Sequence, residues 1–525
     1  MKIIIISILA MIISGCGSGN VENTQVTSST NVTTLTPGVT VEIVVNNTSS
    51  RNSIVNPSIY LESWLSNIAS NQNLNYTGLI SPGQNHVFSF YLGDTESVTT
   101  NLRDNYQYIL SNQTSAVIQL RADNLPNPQN PALTVEVAPD PLSLVLWKDI
   151  VINADLWSDT PEIMSAGYGF EGIEGVNQGE SYVVAAGGAW ELLTMPNPPY
   201  DALTSSKTPS AIADAWGYPT YFADAMPIVF SWPVLPSTVS RSNFAVTLNT
   251  GEVVTPYVAS ISPNLEYNER SCVVIFGEFG NRLPPGTPGA IYPTNVKIVD
   301  GLKLVGPSGL VSAVGLNKDS TNPYVANGGP TLVAAKLSKM STLGEGVGSG
   351  NAFSGGYPNN GVAYYSESNA QYRLRIYTTG GFSSDGVAAM QPGDFQKFFR
   401  LQVTAPNGAI SWLTTTGYTY SYSQGNIEII GLADLGVAGE SQNELYTSDS
   451  DNYIDIILKG DESAMRMITA VEIPAANGYL PFYNPGGPGN NPTPGVTYTS
   501  PGAYRLQPVT MAIDDPKTVT YYGAI

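Results

Sequence analysis

The side chains that carry out most enzymatic hydrolysis are scarce in this sequence. Its one histidine, His86, would have to serve any Ser-His-Asp or Cys-His mechanism, and it stands at the start of a predicted strand. No G-x-S-x-G, P-loop or HExxH motif occurs, and the two cysteines, Cys16 and Cys272, are too few for a zinc cluster. The sequence therefore argues against triad hydrolases and histidine-based metalloenzymes.

Carboxylates are the remaining candidates for acid–base catalysis. Hydrolysis of a glycosidic bond uses two carboxyl groups about 5–9.5 Å apart. Two regions could supply them: the first comprises Glu266, Glu269 and Glu278 with the nearby Arg270 and Arg282, and the second comprises Asp155, Asp159 and Glu162 beside Trp157. We favour the alternatives, a structural ion pair in the first region and solvated loop carboxylates in the second, because no catalytic pair stands out.

A third group of carboxylates has the spacing of a short cation-binding loop. Asp449, Asp451 and Asp455 occupy relative positions 1, 3 and 7, and carboxylate oxygens are the hard ligands that Ca²⁺ prefers. The loop lacks the glycine and the twelfth-position glutamate of an EF-hand, so the site would be a simpler surface calcium site, completed by Asp461 or Glu462. The alternative is a solvated acidic turn.

Tyrosines at alternate positions indicate a binding surface. If Tyr418, Tyr420 and Tyr422 form a strand, their rings share one face, because side chains alternate along a strand. Such a face could stack on sugar rings or contact a protein, and Tyr357, Tyr364 and Tyr365 lie among polar residues in a similar way. The alternative is that these rings pack between sheets, with their hydroxyl groups at the rim.

The composition limits both the partners and the fold. The chain has 525 residues, of which 42 are acidic and 22 are basic, so its formal net charge is −20. This balance argues against nucleic acid, whose phosphates require clustered lysine and arginine. Short alternating apolar segments separated by glycine, proline and asparagine predict an all-β chain of several β-sandwich domains with few short helices.

The first residues have the pattern of an export signal. Lys2 precedes an apolar run of about 11 residues, which is too short to span a bilayer. The run ends in Ile13-Ser14-Gly15-Cys16, which resembles the lipobox of bacterial lipoproteins. The resemblance implies cleavage before Cys16, attachment of diacylglycerol to its thiol and anchoring in a lipid bilayer, the outer membrane if the host is Gram-negative. The alternative is an ordinary signal peptide.

Strand and turn motifs follow a recognisable order in residues 226–316. The segments Phe230-Ser231-Trp232-Pro233-Val234, Ser237-Thr238-Val239 and Asn243-Phe244-Ala245-Val246 come first, and Leu283-Pro284-Pro285-Gly286-Thr287 follows. This order resembles bacterial Ig-like domains of the S-layer and surface-protein type, which implies a β-sandwich. The predicted division is a lipoprotein signal peptide at 1–15, a lipidated tether at 16–37, an N-terminal β-sandwich at 38–140, a loop-rich β region at 141–225, the Ig-like domain at 226–316, and a C-terminal β domain with a Pro/Gly-rich loop at 317–525.

These features predict a membrane-anchored surface lipoprotein. We expect it to be a binding or adhesion protein for a glycan or for a protein partner of the envelope. Two alternatives stay open, a carboxylate-based polysaccharide-degrading enzyme and a purely structural envelope protein. If Cys16 is acylated, the protein has no internal disulfide, and Cys272 is predicted to be a small buried hydrophobic residue.

Overall fold

β-Strands predominate among the residues that the structure describes, and the all-β prediction is confirmed. The computed structural model describes residues 40–47, 52–63, 72–91, 98–102, 107–110, 115–120, 129–130, 132–139, 149–169, 180–185, 189–193, 200–204, 224–256, 258–261, 264, 267–277, 279–340, 365–386, 388, 390–433, 441–443, 446–447, 452–484, 487–489, 492 and 494–523. The described α-helices are short: α1 (Glu180–Ala185), α2 (Phe395–Phe398) and α3 (Glu462–Met465). Among these residues, no helix combines the length and the apolar character needed to cross a bilayer.

The N-terminal part contains two four-stranded sheets. Its strands are β1 (Thr40–Asn47), β2 (Ile54–Val55), β3 (Ser58–Ser63), β4 (Gln72–Asn75), β5 (Leu79–Ile80), β6 (Asn85–Tyr91), β7 (Val98–Leu102), β8 (Gln107–Leu110), β9 (Ser115–Leu120) and β10 (Ala132–Pro139). The sheets have the orders β6-β1-β9-β8 and β4-β3-β10-β7. Ile43 and Val45 alternate with less buried residues along β1, which gives this strand one buried face.

Two further sheets pack on one core in the middle of the chain. The strands of this part are β11 (Ile150–Asp155), β12 (Ile163–Ala166), β13 (Ala189–Leu193), β14 (Tyr200–Thr204), β15 (Asp224–Phe230), β16 (Phe244–Leu248), β17 (Val253–Val254), β18 (Val258–Ser260), β19 (Cys272–Gly277), β20 (Pro293–Ile298), β21 (Lys303–Gly306), β22 (Gly309–Ser312) and β23 (Asn317–Asp319). The sheets β12-β15-β19-β18 and β17-β16-β20-β23 contribute to a core that includes Phe230, Phe244 and Phe279. They form the middle sandwich, and Cys272 is buried within it.

The C-terminal part is a larger sandwich. Its strands are β24 (Leu332–Lys339), β25 (Tyr372–Thr378), β26 (Arg400–Thr404), β27 (Ile410–Leu413), β28 (Thr419–Tyr422), β29 (Gly425–Ala433), β30 (Ser441–Asn443), β31 (Tyr446–Thr447), β32 (Tyr453–Gly460), β33 (Ile468–Ile473), β34 (Arg505–Pro508), β35 (Thr510–Met511) and β36 (Thr518–Tyr522). A six-stranded sheet, β28-β29-β32-β25-β24-β35, and a four-stranded sheet, β27-β26-β33-β34, share one hydrophobic core. β36 leaves this sandwich and pairs antiparallel with β11.

The six-stranded sheet is buried on both faces at its centre. Every residue of β25 is buried, although the strand alternates between apolar and charged side chains. Leu374 and Ile376 face the sandwich core, so Arg373, Arg375 and Tyr377 lie on the opposite face. The cross-strand register places Lys336 on one side of Arg375 and Asp455 on its other side. A row of charged side chains therefore crosses the buried outer face of this sheet.

Candidate functional site

Residues from three of the predicted sites meet in one buried cluster of charged side chains. It contains Asp155 of β11, Glu269 of the turn before β19, Lys336 of β24, Arg373 and Arg375 of β25, and Asp455 of β32. Each of these six residues is at most 4% exposed. Asp155 and Glu269 belong to the two carboxylate regions singled out for catalysis, and Asp455 belongs to the predicted calcium loop. We call this group the buried charge cluster.

Arg375 joins the three carboxylates of the buried charge cluster. Its Nε and Nη2 atoms donate to Asp455 Oδ1 at 2.8 Å and Oδ2 at 2.9 Å, a bidentate pair. The same Nη2 lies 2.9 Å from Glu269 Oε1, and Nη1 donates to Asp155 Oδ2 at 3.3 Å. One guanidinium group thus links β11, the turn before β19 in the middle sandwich, and β32 in the C-terminal sandwich.

Lys336 is held by three oxygen atoms. Its ammonium group pairs with Asp155 and donates to the main-chain oxygens of Pro516 at 2.8 Å and Lys517 at 2.9 Å. These contacts use all three ammonium donors. Trp157 lies 5.5 Å from the Lys336 Nζ, measured to the ring centroid, so an aromatic ring covers one side of the pair.

The aromatic rings around the cluster exclude water from it. Tyr377 and Tyr453 stack with their ring centroids 4.4 Å apart, and Trp157 lies 5.2 Å from Tyr377. Arg375 also lies over the ring of Tyr453, at 5.2 Å from its centroid. In such surroundings a charge is stable only if it is paired and hydrogen-bonded.

The electrostatics of the cluster keep Asp155 ionised. Burial alone would raise the pKa of Asp155, but the positive charges of Lys336, Arg373 and Arg375 outweigh it and lower this pKa to about 2. For Lys336, burial lowers the pKa of the ammonium group, and the charge of Asp155 opposes this effect. An ionised, fully paired Asp155 has no proton to give to a glycosidic oxygen. The arrangement is that of a structural ion-pair network.

Asp455 is the member of the predicted calcium loop that the structure describes. Both of its carboxylate oxygens accept from Arg375, so they face the cluster. Asp449 and Asp451 lie outside the described residues. Across the part of the chain that is described, no group of three or more His, Cys, Asp or Glu side chains is arranged to hold a metal ion. The calcium site stays a prediction. Both carboxylate oxygens of Asp455 are hydrogen-bonded to Arg375.

The two residues suggested to complete that loop make other contacts. Asp461 accepts a hydrogen bond from the main-chain N–H of Asn426 at 2.8 Å. Glu462 pairs with Lys339 at 2.8 Å and with Arg466 at 2.6 Å.

The other acidic and basic candidates are dispersed. Glu266 and Glu278 lie outside the described residues. Asp159 is almost fully exposed, 3.6 Å from the Lys517 Nζ, and Glu162 is exposed, as expected for solvated loop carboxylates. The same expectation is wrong for Asp155, which is buried and paired with Lys336 and Arg375. Arg282 pairs with the buried Asp224 at 3.0 Å, and Arg270 lies over the ring of Tyr267.

His86 is a packing residue. Its ring stacks on Tyr76 with a centroid separation of 3.7 Å and meets the edge of Phe88 at 4.8 Å. Burial lowers its pKa.

The predicted tyrosine strand is present as β28, and two of its rings pack inward. Tyr420 and Tyr422 lie against the core of the C-terminal sandwich. The Tyr420 hydroxyl accepts from the main-chain N–H groups of Thr414 at 2.9 Å and Thr415 at 3.0 Å. Tyr418 precedes the strand and is 57% exposed. For Tyr420 and Tyr422, the structure therefore matches the alternative of a packed face with hydroxyl groups at its rim.

The second tyrosine set offers no exposed face among the described residues. Tyr365 is buried and its hydroxyl donates to the Leu432 oxygen at 2.8 Å. Tyr357 and Tyr364 lie outside the described part of the chain.

A second aromatic group, which the sequence did not reveal, lies on the outer face of the four-stranded sheet. It consists of Arg400 on β26, Trp412 on β27, Glu472 on β33, Tyr479 after β33 and Tyr504 before β34. We call these five residues the aromatic surface.

The strand alternation explains why these side chains lie outside the core. Leu401 and Val471, which follow Arg400 and precede Glu472, are buried in the sandwich core. Their neighbours therefore point away from it. Arg400 and Glu472 are direct cross-strand partners in β26 and β33.

Arg400 is the centre of the aromatic surface. Its Cζ lies 3.9 Å from the centroid of the Trp412 ring and 6.0 Å from that of Tyr479. Its Nε pairs with Glu472, and this hydrogen bond is the main cause of the raised pKa of Arg400. Arg400 is 30% exposed, Glu472 is buried beside it, and Tyr504 is 57% exposed. The pair holds the guanidinium over the indole ring.

The phenol groups of the aromatic surface stay protonated. Burial raises the pKa of Tyr479, and the negative charge of Glu472 raises it further, against the effect of Arg400. Burial, followed by hydrogen bonding to Glu472, raises the pKa of Tyr504. The surface therefore offers flat rings, neutral hydroxyl groups and guanidinium N–H donors.

Comparison with known proteins gave no match to any family model, any curated protein or any solved structure.

Proposed function

We propose that this chain is a membrane-anchored surface lipoprotein that binds a glycan at the aromatic surface of its C-terminal sandwich. The observation that carries the proposal is the stack of Arg400 on Trp412, fixed by Glu472 and flanked by Tyr479 and Tyr504. Aromatic faces bind the apolar faces of sugar rings, and neighbouring N–H and O–H groups bind the sugar hydroxyls.

The buried charge cluster favours binding over catalysis. Its carboxylates are enclosed and are paired with Arg375, Arg373 and Lys336, so a polysaccharide cannot reach them. An enzyme that uses the first acidic region would have to rely on Glu266 or Glu278. We keep that enzyme as the alternative, together with an aromatic surface that contacts a protein.

A polysaccharide panel tests the proposal. We expect the chain to be retained on at least one immobilised polysaccharide without release of new reducing ends, because the aromatic surface can bind sugars but holds no acid–base pair. Retention and reducing ends would be measured in the same wells. New reducing ends that disappear in Glu278→Gln would establish the enzyme instead, and a lack of both signals would refute the glycan proposal.

The proposed anchor rests on the lipobox-like sequence that ends at Cys16. In a bacterial host, we expect the chain to incorporate labelled palmitate and to sediment with membranes. Cys16→Ser should lose the label, because no other residue in the pattern supplies a thiol. Cys272→Ser is the matched control and should keep the label, since Cys272 is buried in β19. Label retained by Cys16→Ser would contradict the lipid anchor.

A further inference from the structure

We infer that the aromatic surface selects an uncharged glycan over a glycan that carries carboxylates. This inference rests on the proposed function and specifies the chemistry of its ligand.

The cation of the aromatic surface is already neutralised. The guanidinium of Arg400 is paired with the carboxylate of Glu472, which lies beside it on the next strand. An arginine that recognises a uronate normally offers both of its forked N–H groups to the incoming carboxylate. Here the Nε–H is occupied by Glu472, and a second carboxylate would meet the negative charge already present.

The charges around the aromatic surface also disfavour a polyanion. Lys397 lies near Tyr479, because its main-chain oxygen accepts a hydrogen bond from the N–H of Leu480, the residue after Tyr479. The ammonium group of Lys397 pairs with Asp394 at 2.7 Å. The whole chain carries a formal net charge of −20. A polyanion would approach this protein against long-range repulsion, and the five residues of the aromatic surface include one cation, Arg400, to compensate for it.

The remaining groups suit neutral sugars. The phenol of Tyr479 can donate and accept a hydrogen bond, the phenol oxygen of Tyr504 can accept one because its O–H is hydrogen-bonded to Glu472, and the amino groups of Arg400 supply further donors. Sugar hydroxyls need both kinds of partner. The half-buried Trp412 ring, which the guanidinium of Arg400 covers on one face, adds apolar surface beside these groups.

The test compares polymers that share a backbone and differ in charge. The detergent-solubilised full chain would be titrated with hydroxyethylcellulose and carboxymethylcellulose, with dextran and carboxymethyl-dextran, and with galactomannan and its carboxymethyl derivative. We expect binding to a neutral member to be at least about tenfold tighter than to its carboxylated partner, because like charges in contact are strongly unfavourable. We also expect little change between about 0.1 M and about 1 M salt, where the screening length falls from about 10 Å to about 3 Å.

A charge variant gives an independent readout. Glu472→Gln removes the carboxylate that neutralises Arg400, so binding to the carboxylated member should improve at least about threefold relative to the neutral one. Tighter binding of the unaltered chain to a carboxylated polymer, lost at high salt, would overturn the inference while leaving glycan binding intact. If no polymer of the six binds, the proposed function itself fails. The salt series on the unaltered chain distinguishes these outcomes even if Glu472→Gln does not fold.

Discussion

Replacing Arg375 by methionine is expected to lower the free energy of unfolding by about 3–5 kcal/mol. The guanidinium contacts Asp455, Glu269 and Asp155, and all of these groups are buried. Removing it leaves three carboxylates enclosed by aromatic rings with a net negative charge, and removing one partner of a buried ion pair costs this much in other proteins. Urea unfolding measures the difference.

An exposed arginine in the same sandwich provides the control. Arg505 lies on the edge strand β34, and Arg505→Met should change the stability by less than about 0.5 kcal/mol. Adding Asp455→Asn to Arg375→Met should cost less than the sum of the two single changes, because the asparagine no longer needs the missing cation. Equal stabilities of Arg375→Met and Arg505→Met would show that the buried charge cluster does not hold the fold together.

The free energy of unfolding should also fall at low pH because of Asp155. The pKa of Asp155 is about 2 in the folded chain, below its ordinary value of 3.8. The folded state therefore gains stability above the ordinary pKa and loses it as the pH falls from about 4 towards about 2. The loss should be about 2 kcal/mol in the unaltered chain. It should be smaller in Arg375→Met, because one of the three cations that lower this pKa is gone.

Replacing Trp412 by alanine is expected to weaken glycan binding about 30-fold. Trp412 carries the guanidinium of Arg400 on its ring and is the largest aromatic side chain of the aromatic surface. Buried or half-buried tryptophans at binding sites typically account for about 2 kcal/mol or more, which corresponds to this factor. Isothermal titration with the polysaccharide retained in the panel measures the change.

Two tyrosines of similar exposure give a matched comparison for this prediction. Tyr504 is 57% exposed and belongs to the aromatic surface, whereas Tyr182 is 54% exposed on α1. Tyr504→Ala should weaken binding about tenfold, and Tyr182→Ala should leave it unchanged. If both variants bind as the unaltered chain does, the glycan site lies elsewhere.

Local sequence patterns predict where strands form. They do not predict which residues the side chains of those strands contact. The alternation in Tyr372-Arg373-Leu374-Arg375-Ile376-Tyr377 correctly predicts a strand, β25. The same alternation would normally place the arginines in solvent, since charged residues are seldom fully buried. They are buried because carboxylates from positions 155, 269 and 455 approach the sheet from segments that are distant in sequence. Such convergence depends on tertiary packing, which a single sequence does not display.

The sequence predicts one part of the aromatic surface, the placement of Trp412 beside Arg400, but not the approach of the two tyrosines. The Pro406-Asn407-Gly408 turn predicts a hairpin, and the structure pairs β26 with β27 around it. That register places Trp412 opposite Gln402, on the same face as Arg400, so this part could have been derived from the turn. Tyr479 and Tyr504 enter from segments that no local pattern connects to the hairpin. The regular spacing of Tyr418, Tyr420 and Tyr422 indicates a binding surface, yet Tyr420 and Tyr422 pack against the core.

The contacts of Lys336 have a consequence for how the chain acquires its shape. Its ammonium group is satisfied by main-chain oxygens that follow it by 180 and 181 residues, and Arg375 meets an aspartate 220 residues before it. During synthesis, Lys336 and Asp155 are made before the partners that neutralise or satisfy them, Asp155 before Arg375 and Lys336 before Pro516 and Lys517. Contacts of such long sequence separation form late and slowly. A chain that ends between these segments would leave unpaired charges on a sheet face that is buried in the complete fold, so we expect such an intermediate to be incompletely packed and prone to aggregate.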